Sequence, residues 1–144
     1  MSRNKGCACK HCVAACKRQP GWFAPGEVEK AAALLGMDLA MFKARFIIRE
    51  FWTGDSTTNG KTVYCYAPRK TGVDKRRKTA SYGAAFTPAP CVFLTPENRC
   101  RIHAAKPEEC RETPCCAPSI GSDARAMRTK KQIVLAWMKA GGAS

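Results

Sequence analysis

Ten cysteines in 144 residues are the side chains most able to do chemistry, and their spacing sorts them. Cys7, Cys9, Cys12 and Cys16 form one group, Cys91, Cys100, Cys110, Cys115 and Cys116 a second, and Cys65 stands alone between them. The Cys9-x2-Cys12 spacing lets two thiolates face one cation from a single tight turn, as in zinc and iron–sulfur sites. Cys16 follows four positions on, so a helix here would put Cys12 and Cys16 on one face. A bound metal holds such thiolates deprotonated. The cations Lys10, Lys17, Arg18 and Arg101 would offset their negative charge. Disulfides between the groups and inert buried thiols are the other two fates. A disulfide needs Cα atoms about 5–6 Å apart with specific torsions, which makes Cys115–Cys116 and Cys7–Cys9 poor pairs. Cys65, alone in an apolar setting, reads as a core residue.

The elements that must position these groups are short. Residues 21–26 read as a loop, and a helix follows in which Val28, Ala31, Ala32 and Leu35 form one apolar stripe. Glu27 and Glu29 suit the positive end of its dipole, and Gly36 is a natural stop. Asp38 can cap a second helix over 39–50, with Leu39, Phe42 and Phe46 facing inward. Residues 53–60 are turn-rich, and the alternation from Lys61 to Tyr66 predicts a short strand. The stretch 67–90 shows little periodicity and reads as a long mobile basic loop. Cys91 to Leu94 reads as extended, and 107–112 as one helical turn starting at Pro107. Ser122 caps a last helix near 123–139, counted with its end as 122–140. Its expected apolar side is Ile133, Ala136, Trp137 and Ala140. Trp22, Phe23, Phe46, Phe51 and Trp52 are expected in the core. The expected whole is one small domain over 1–144, mainly α with irregular, metal-organised segments and a few short strands.

At the second cysteine group the chain resembles the YkgJ-type cysteine-cluster family, small bacterial proteins described as zinc- or iron-chelating. The residues that carry the resemblance are Cys91-Val-Phe-Leu94, Cys100-Arg-Ile-His103 and Lys106-Pro-Glu-Glu-Cys110-Arg111, in that order. The stretch from Pro20 to Glu27, and Leu35-Gly-Met-x-x-x-x-Phe42, also look like members of that family. The resemblance implies Cys9, Cys12, Cys16, Cys91, Cys100 and Cys110 as cluster cysteines. The family's N-terminal signature has an adjacent cysteine pair, which here falls on Ala15 and Cys16, so one expected cysteine is missing. Cys115 is taken into the site set in its place, with Cys7 and Cys116 as the other candidates. The flagellin lysine methylases carry a similar pattern, which points to an iron–sulfur cluster, of the four-iron type, ahead of zinc.

Two histidines, His11 and His103, adjoin cysteines, but exposed or hydrogen-bonded histidine is the commoner outcome. The resemblance allows tyrosine where His103 stands, which argues against ligation there. Arg111 could support the cluster or pair with Glu108, Glu109 or Glu112.

Lys plus Arg is 25 against 11 acidic residues, a formal net charge of +14. The excess lies in residues 1–20, 61–78 and 122–144. Such a balance suits an acidic partner, nucleic acid among them, and Lys75-Arg76-Arg77-Lys78 could meet phosphate. No interleaved aromatic platform and no Cys2His2 finger spacing is visible in the linear sequence. No apolar run approaches the roughly 18 residues of a membrane span. The basic N-terminal stretch lacks the apolar segment of a signal peptide, so a cytoplasmic location is expected, where thiols stay reduced. No phosphate-cradling glycine loop or triad can be assembled. Three readings follow: a metal-binding cysteine-cluster protein, a zinc-stabilised nucleic-acid-binding module, and an iron–sulfur-dependent protein-modifying enzyme.

Overall fold

A computed structural model describes residues 10–73, 77–111 and 122–144. In chain order the elements are α1 (Lys10–Arg18), α2 (Glu27–Leu34), α3 (Leu39–Phe46), β1 (Ile47–Trp52), β2 (Val63–Pro68), α4 (Tyr82–Ala85), α5 (Glu108–Arg111) and α6 (Ser122–Lys139). Two short 3-10 helices, Ser56–Thr58 and His103–Ala105, lie between them. The expected mainly-α domain is thus a mixed one, because a two-stranded antiparallel sheet sits at its centre.

Local chemistry sets the first boundaries. Gly36 takes φ +65°, and the Gly36 and Met37 N–H groups donate to Ala33 and Ala32 at 3.0 Å each. That is a Schellman end for α2, which a residue with a Cβ would strain. Asp38 caps α3 by accepting from the Met41 N–H at 3.2 Å. The helix expected to continue through residue 50 stops at Phe46, and the chain turns directly into β1. Ile47 and Ile48 are β-branched and buried, and β2 offers their backbone a ladder from Ile47↔Pro68 to Trp52↔Val63. That partner lies about 20 positions away in the chain, where local helical periodicity does not register it.

The core is aromatic at one end. Phe42, Phe46 and Phe93 pack with ring centroids 5.3–5.8 Å apart. Phe23, also fully buried, lies between sheet and α6: its N–H donates to Tyr66 at 2.9 Å, and its carbonyl accepts from Trp137 Nε1 at 2.7 Å. The buried side of α6 is Thr129, Ile133, Val134 and Trp137. Ala136 and Ala140, expected inside, face solvent. Of the expected core aromatics, Trp22, Phe23 and Phe46 are buried, while Phe51 and Trp52 are half-buried. No helix among the described residues is long and apolar enough to cross a membrane.

The stretch read as a long loop has structure of its own. Arg49 and Thr79 form a bridge beside β1, and α4 follows, capped by Ser81. Lys70, 1% exposed, bridges to Cys91 through its backbone, and its ammonium donates to the carbonyls of Ala84, Ala85 and Thr87. A cation at the end of α4 satisfies carbonyls that the helix leaves open. Replacing Lys70 with Met should take a donor from the carbonyls of Ala85 and Thr87, leave Ala84 with the Thr87 N–H, and cost about 2–4 kcal/mol, visible as a lowered thermal midpoint.

Candidate metal centre

Each cysteine of the centre is placed by an ordinary structural cause. The last carbonyls of α1 lack helical partners. Cys16 O accepts from the Cys91 N–H at 2.6 Å, and Arg18 O accepts from Ala89 N–H at 2.9 Å. This lays the 89–91 segment along the end of α1 and brings Cys16 and Cys91 together, although 75 positions separate them. After Cys91 the chain turns, with Leu94 N–H donating to Cys91 O at 3.1 Å, and the buried Phe93 ring anchors that turn in the core. The expected extended run is therefore a turn, with Cys91 and Leu94 each in a single bridge. The Leu94 bridge is to Cys100, so the turn carries the third thiol back alongside the second.

Cys110 comes from α5 and is held by a clamp. Glu27 Oε1, on a residue 8% exposed, accepts from the N–H groups of Ala24 at 2.7 Å and Glu108 at 2.9 Å. Glu109 Oε1 accepts from the Trp22 N–H at 2.9 Å. Lys130 of α6 pairs with Glu109 at 3.5 Å and sits 4.3 Å over the Trp22 ring. The clamp presses α5 against Gly21 so closely that a Cβ there would lie 2.6 Å from Cys110 Sγ. Glycine is required at 21 for space.

Cys16, Cys91, Cys100 and Cys110 are free thiols and share one electrostatic neighbourhood. Burial pushes the pKa of each up first. Negative charge on neighbours adds to this: Cys100 acts on Cys16, Cys16 and Cys100 act on Cys91, and Cys91 and Cys16 act on Cys110. Against this stand backbone N–H donors to sulfur, from Phe93 and Leu94 to Cys91, Ile102 to Cys100, and Gly21 to Cys110. The Lys106 ammonium also favours the thiolates of Cys16 and Cys100. Burial wins, so the metal-free thiols are neutral near pH 7.

Among the described residues, no three His, Cys, Asp or Glu side chains stand in a geometry that could hold a metal ion. Cys7, Cys9, Cys115 and Cys116 lie outside the described residues, as do the side chains of Cys12, His11 and Arg111. Cys12 belongs to α1, one turn before Cys16. Arg101, expected beside the thiolates, instead lies 5.3 Å over the Phe46 ring. Among the described residues the cation that acts on Cys16 and Cys100 is Lys106, whose place next to a loop proline gave no such signal in the sequence. His103 lies on the short helix before Lys106, and its pKa is lowered by burial and then by that ammonium. Trp22 Nε1 is buried without a hydrogen-bond partner among the described residues, beside Gly21.

Cys65 lies apart from this group, fully buried on β2, opposite Glu50 in the sheet register. No family model matches the chain, and no curated protein or solved structure matches it.

Two outcomes are expected. Gly21→Ala should push α5 off its seat and lower the thermal midpoint, whereas Gly26→Ala, with nothing near its Cβ position, should disturb only its own loop. The Cys65 pKa is raised from 9.0 to about 12, mainly by burial. A raised acid pKa contributes stability that is whole below pH 9 and is lost as pH climbs toward 12. Cys65→Val should therefore flatten the alkaline loss of stability measured by denaturant unfolding between those limits.

Proposed function

We propose that the protein is a cytoplasmic metal-binding cysteine-cluster protein. Its metal is held by thiolates drawn from Cys9, Cys12, Cys16, Cys91, Cys100, Cys110 and Cys115. The observation that supports this reading is that Cys16, Cys91, Cys100 and Cys110, from α1, two loop segments and α5, lie within electrostatic reach of one another, with backbone N–H groups favouring three of the thiolates. Inert core thiols need no such donors; thiolate ligands are stabilised by them. The unused indole N–H of Trp22 is a further buried donor beside Gly21. The resemblance to the YkgJ-type family implies Cys16, Cys91, Cys100 and Cys110, with Cys9 and Cys12, as cluster cysteines.

An all-sulfur donor set fits both zinc and an iron–sulfur cluster, and the resemblance favours the latter. Bound, the cluster would supply one-electron chemistry or a structural cross-link. The chain's own part would be to gather the thiolates, offset part of their charge with Lys106, and bury them away from water. Ligation also ties α1 to segments 75 or more positions away, so metal affinity becomes folding free energy.

Anaerobic purification followed by iron, acid-labile sulfide and zinc analysis tests this. Bound iron with sulfide is expected, and zinc without sulfide would reassign the metal. Replacing Cys9, Cys12, Cys100 and Cys110 by Ala should abolish metal retention; unchanged metal content would sink the site. Each ligand thiol must lose its proton, and burial holds those protons tightly. Apparent zinc affinity, measured by competition with a chelator, should rise between pH 6 and 8.

We also infer an acidic partner, nucleic acid in particular, for the charge that the thiolates do not use. Lys43, Arg49, Arg69 and Lys78 line one cavity and support that second reading.

A further inference from the structure

The sheet turns one face toward a strip that the linear sequence does not reveal. The register pairs Arg49 with Tyr66 and Phe51 with Tyr64, so these four residues share a face. Beside β1 runs the segment that follows the basic stretch. Arg49 N–H donates to Lys78 O at 2.8 Å, Ala80 N–H donates to Arg49 O at 2.8 Å, and Arg49 Nε donates to Thr79 Oγ1 at 2.9 Å. The bridge is parallel, so the segment carries Lys78 to one end of the strip and Tyr82 to the other.

At the Lys78 end lies a cavity of about 380 Å³. Lys43, Arg49, Arg69, Lys78, Tyr66 and Ser144 contribute to its lining, and among the described residues no Asp or Glu side chain does. Lys43 Nζ sits 4.7 Å over the Tyr66 ring. At the other end Phe51 and Tyr82 stack with centroids 6.3 Å apart, and Tyr82 meets Phe86 at 5.1 Å. Tyr82 is 69% exposed and Phe86 67%. Between the two ends the Arg49 guanidinium lies 4.9 Å over Tyr64, itself 38% exposed.

We propose that this strip binds single-stranded nucleic acid, with backbone phosphate in the four-cation cavity and bases stacked on Tyr82 and Phe86 beside Phe51. The proposal rests on the acidic-partner reading and goes further by naming the strand and its seat. Charge complementarity selects the partner: Lys43, Arg49, Arg69 and Lys78 line the cavity with no side-chain carboxylate among the described residues, which suits a polyanion. Exposed rings next to those cations select a single strand, because only unpaired bases offer their faces. A duplex keeps its base faces stacked inside and would leave Tyr82 and Phe86 without a stacking partner. Stacking tolerates any base, so little sequence preference follows.

The test uses the full chain and a fluorescently labelled 20-nucleotide oligothymidylate, titrated from 50 to 200 mM salt. Binding that weakens with salt is expected. Tyr82→Ala with Phe86→Ala should weaken it roughly tenfold or more, since each stacked base is a sizeable share of affinity. Both side chains are exposed, and circular dichroism should show the fold unchanged. Lys78→Gln should lower the slope of log affinity against log salt by about 0.7, the single-strand value for one lost phosphate contact. Lys30→Gln, exposed on α2, should leave it unchanged. If neither the oligonucleotide nor heparin binds at 50 mM salt, the acidic-partner reading falls and the strip with it. If the oligonucleotide binds but the aromatic variant binds equally well, or a 20-base-pair duplex binds equally tightly, the strip alone is overturned. An effect of Lys30→Gln equal to that of Lys78→Gln would also overturn it.

Discussion

A buried carboxylate holds the arrangement together. Glu27 begins α2, yet its side chain reaches back to the Ala24 N–H and across to the Glu108 N–H, 81 positions away. Burying an ionised carboxylate is costly unless its lone pairs are filled. Here two otherwise open backbone donors reach Oε1, one in the loop before α2 and one at the start of α5. Glu109 returns the favour to Trp22, and Lys130 closes the group from α6. Take away that carboxylate and α5 loses its seat, and with it the contact between Cys110 and Gly21.

The thiols then face two opposed influences. Burial favours the protonated form. Backbone N–H groups and Lys106 favour the thiolate. In the free protein burial prevails. A cation supplies the missing stabilisation, so under the proposed function the centre exchanges protons for metal. The same dry surroundings that keep the free thiols neutral would protect the bound ones from water.

Positive charge plays two parts of unequal size. Among the described residues, Lys106 acts on the thiols of Cys16 and Cys100. Another, Lys70, is consumed internally at the end of α4. Lys43, Arg49, Arg69 and Lys78 gather at one cavity, and the Arg49 guanidinium lies over the half-exposed Tyr64 ring. The expectation that Arg101 would attend the thiolates failed because its guanidinium found the Phe46 face. An arginine stacks on an aromatic ring as readily as it pairs with an anion.

Much that is local was legible in the sequence. The stops and caps at Gly36 and Asp38, the stripe of Val28, Ala31 and Ala32, the strand around Tyr64 and the last helix all follow from propensity, periodicity or backbone freedom. These act within a few residues, so the order of residues determines them. The sequence also grouped the cysteines and set Cys65 apart, since spacing and apolar setting are local too. The strand fate of Ile47 to Trp52 was not legible, because it depends on a ladder with β2. Nor was the exposure of Ala136 and Ala140, which depends on how α6 rotates against the sheet. The approach of Cys16 to Cys91, the need for glycine at 21 and the meeting of Phe51 with Tyr82 were decided by tertiary structure alone. Each is a contact between segments far apart in the chain, made where unsatisfied backbone groups and apolar faces found their partners.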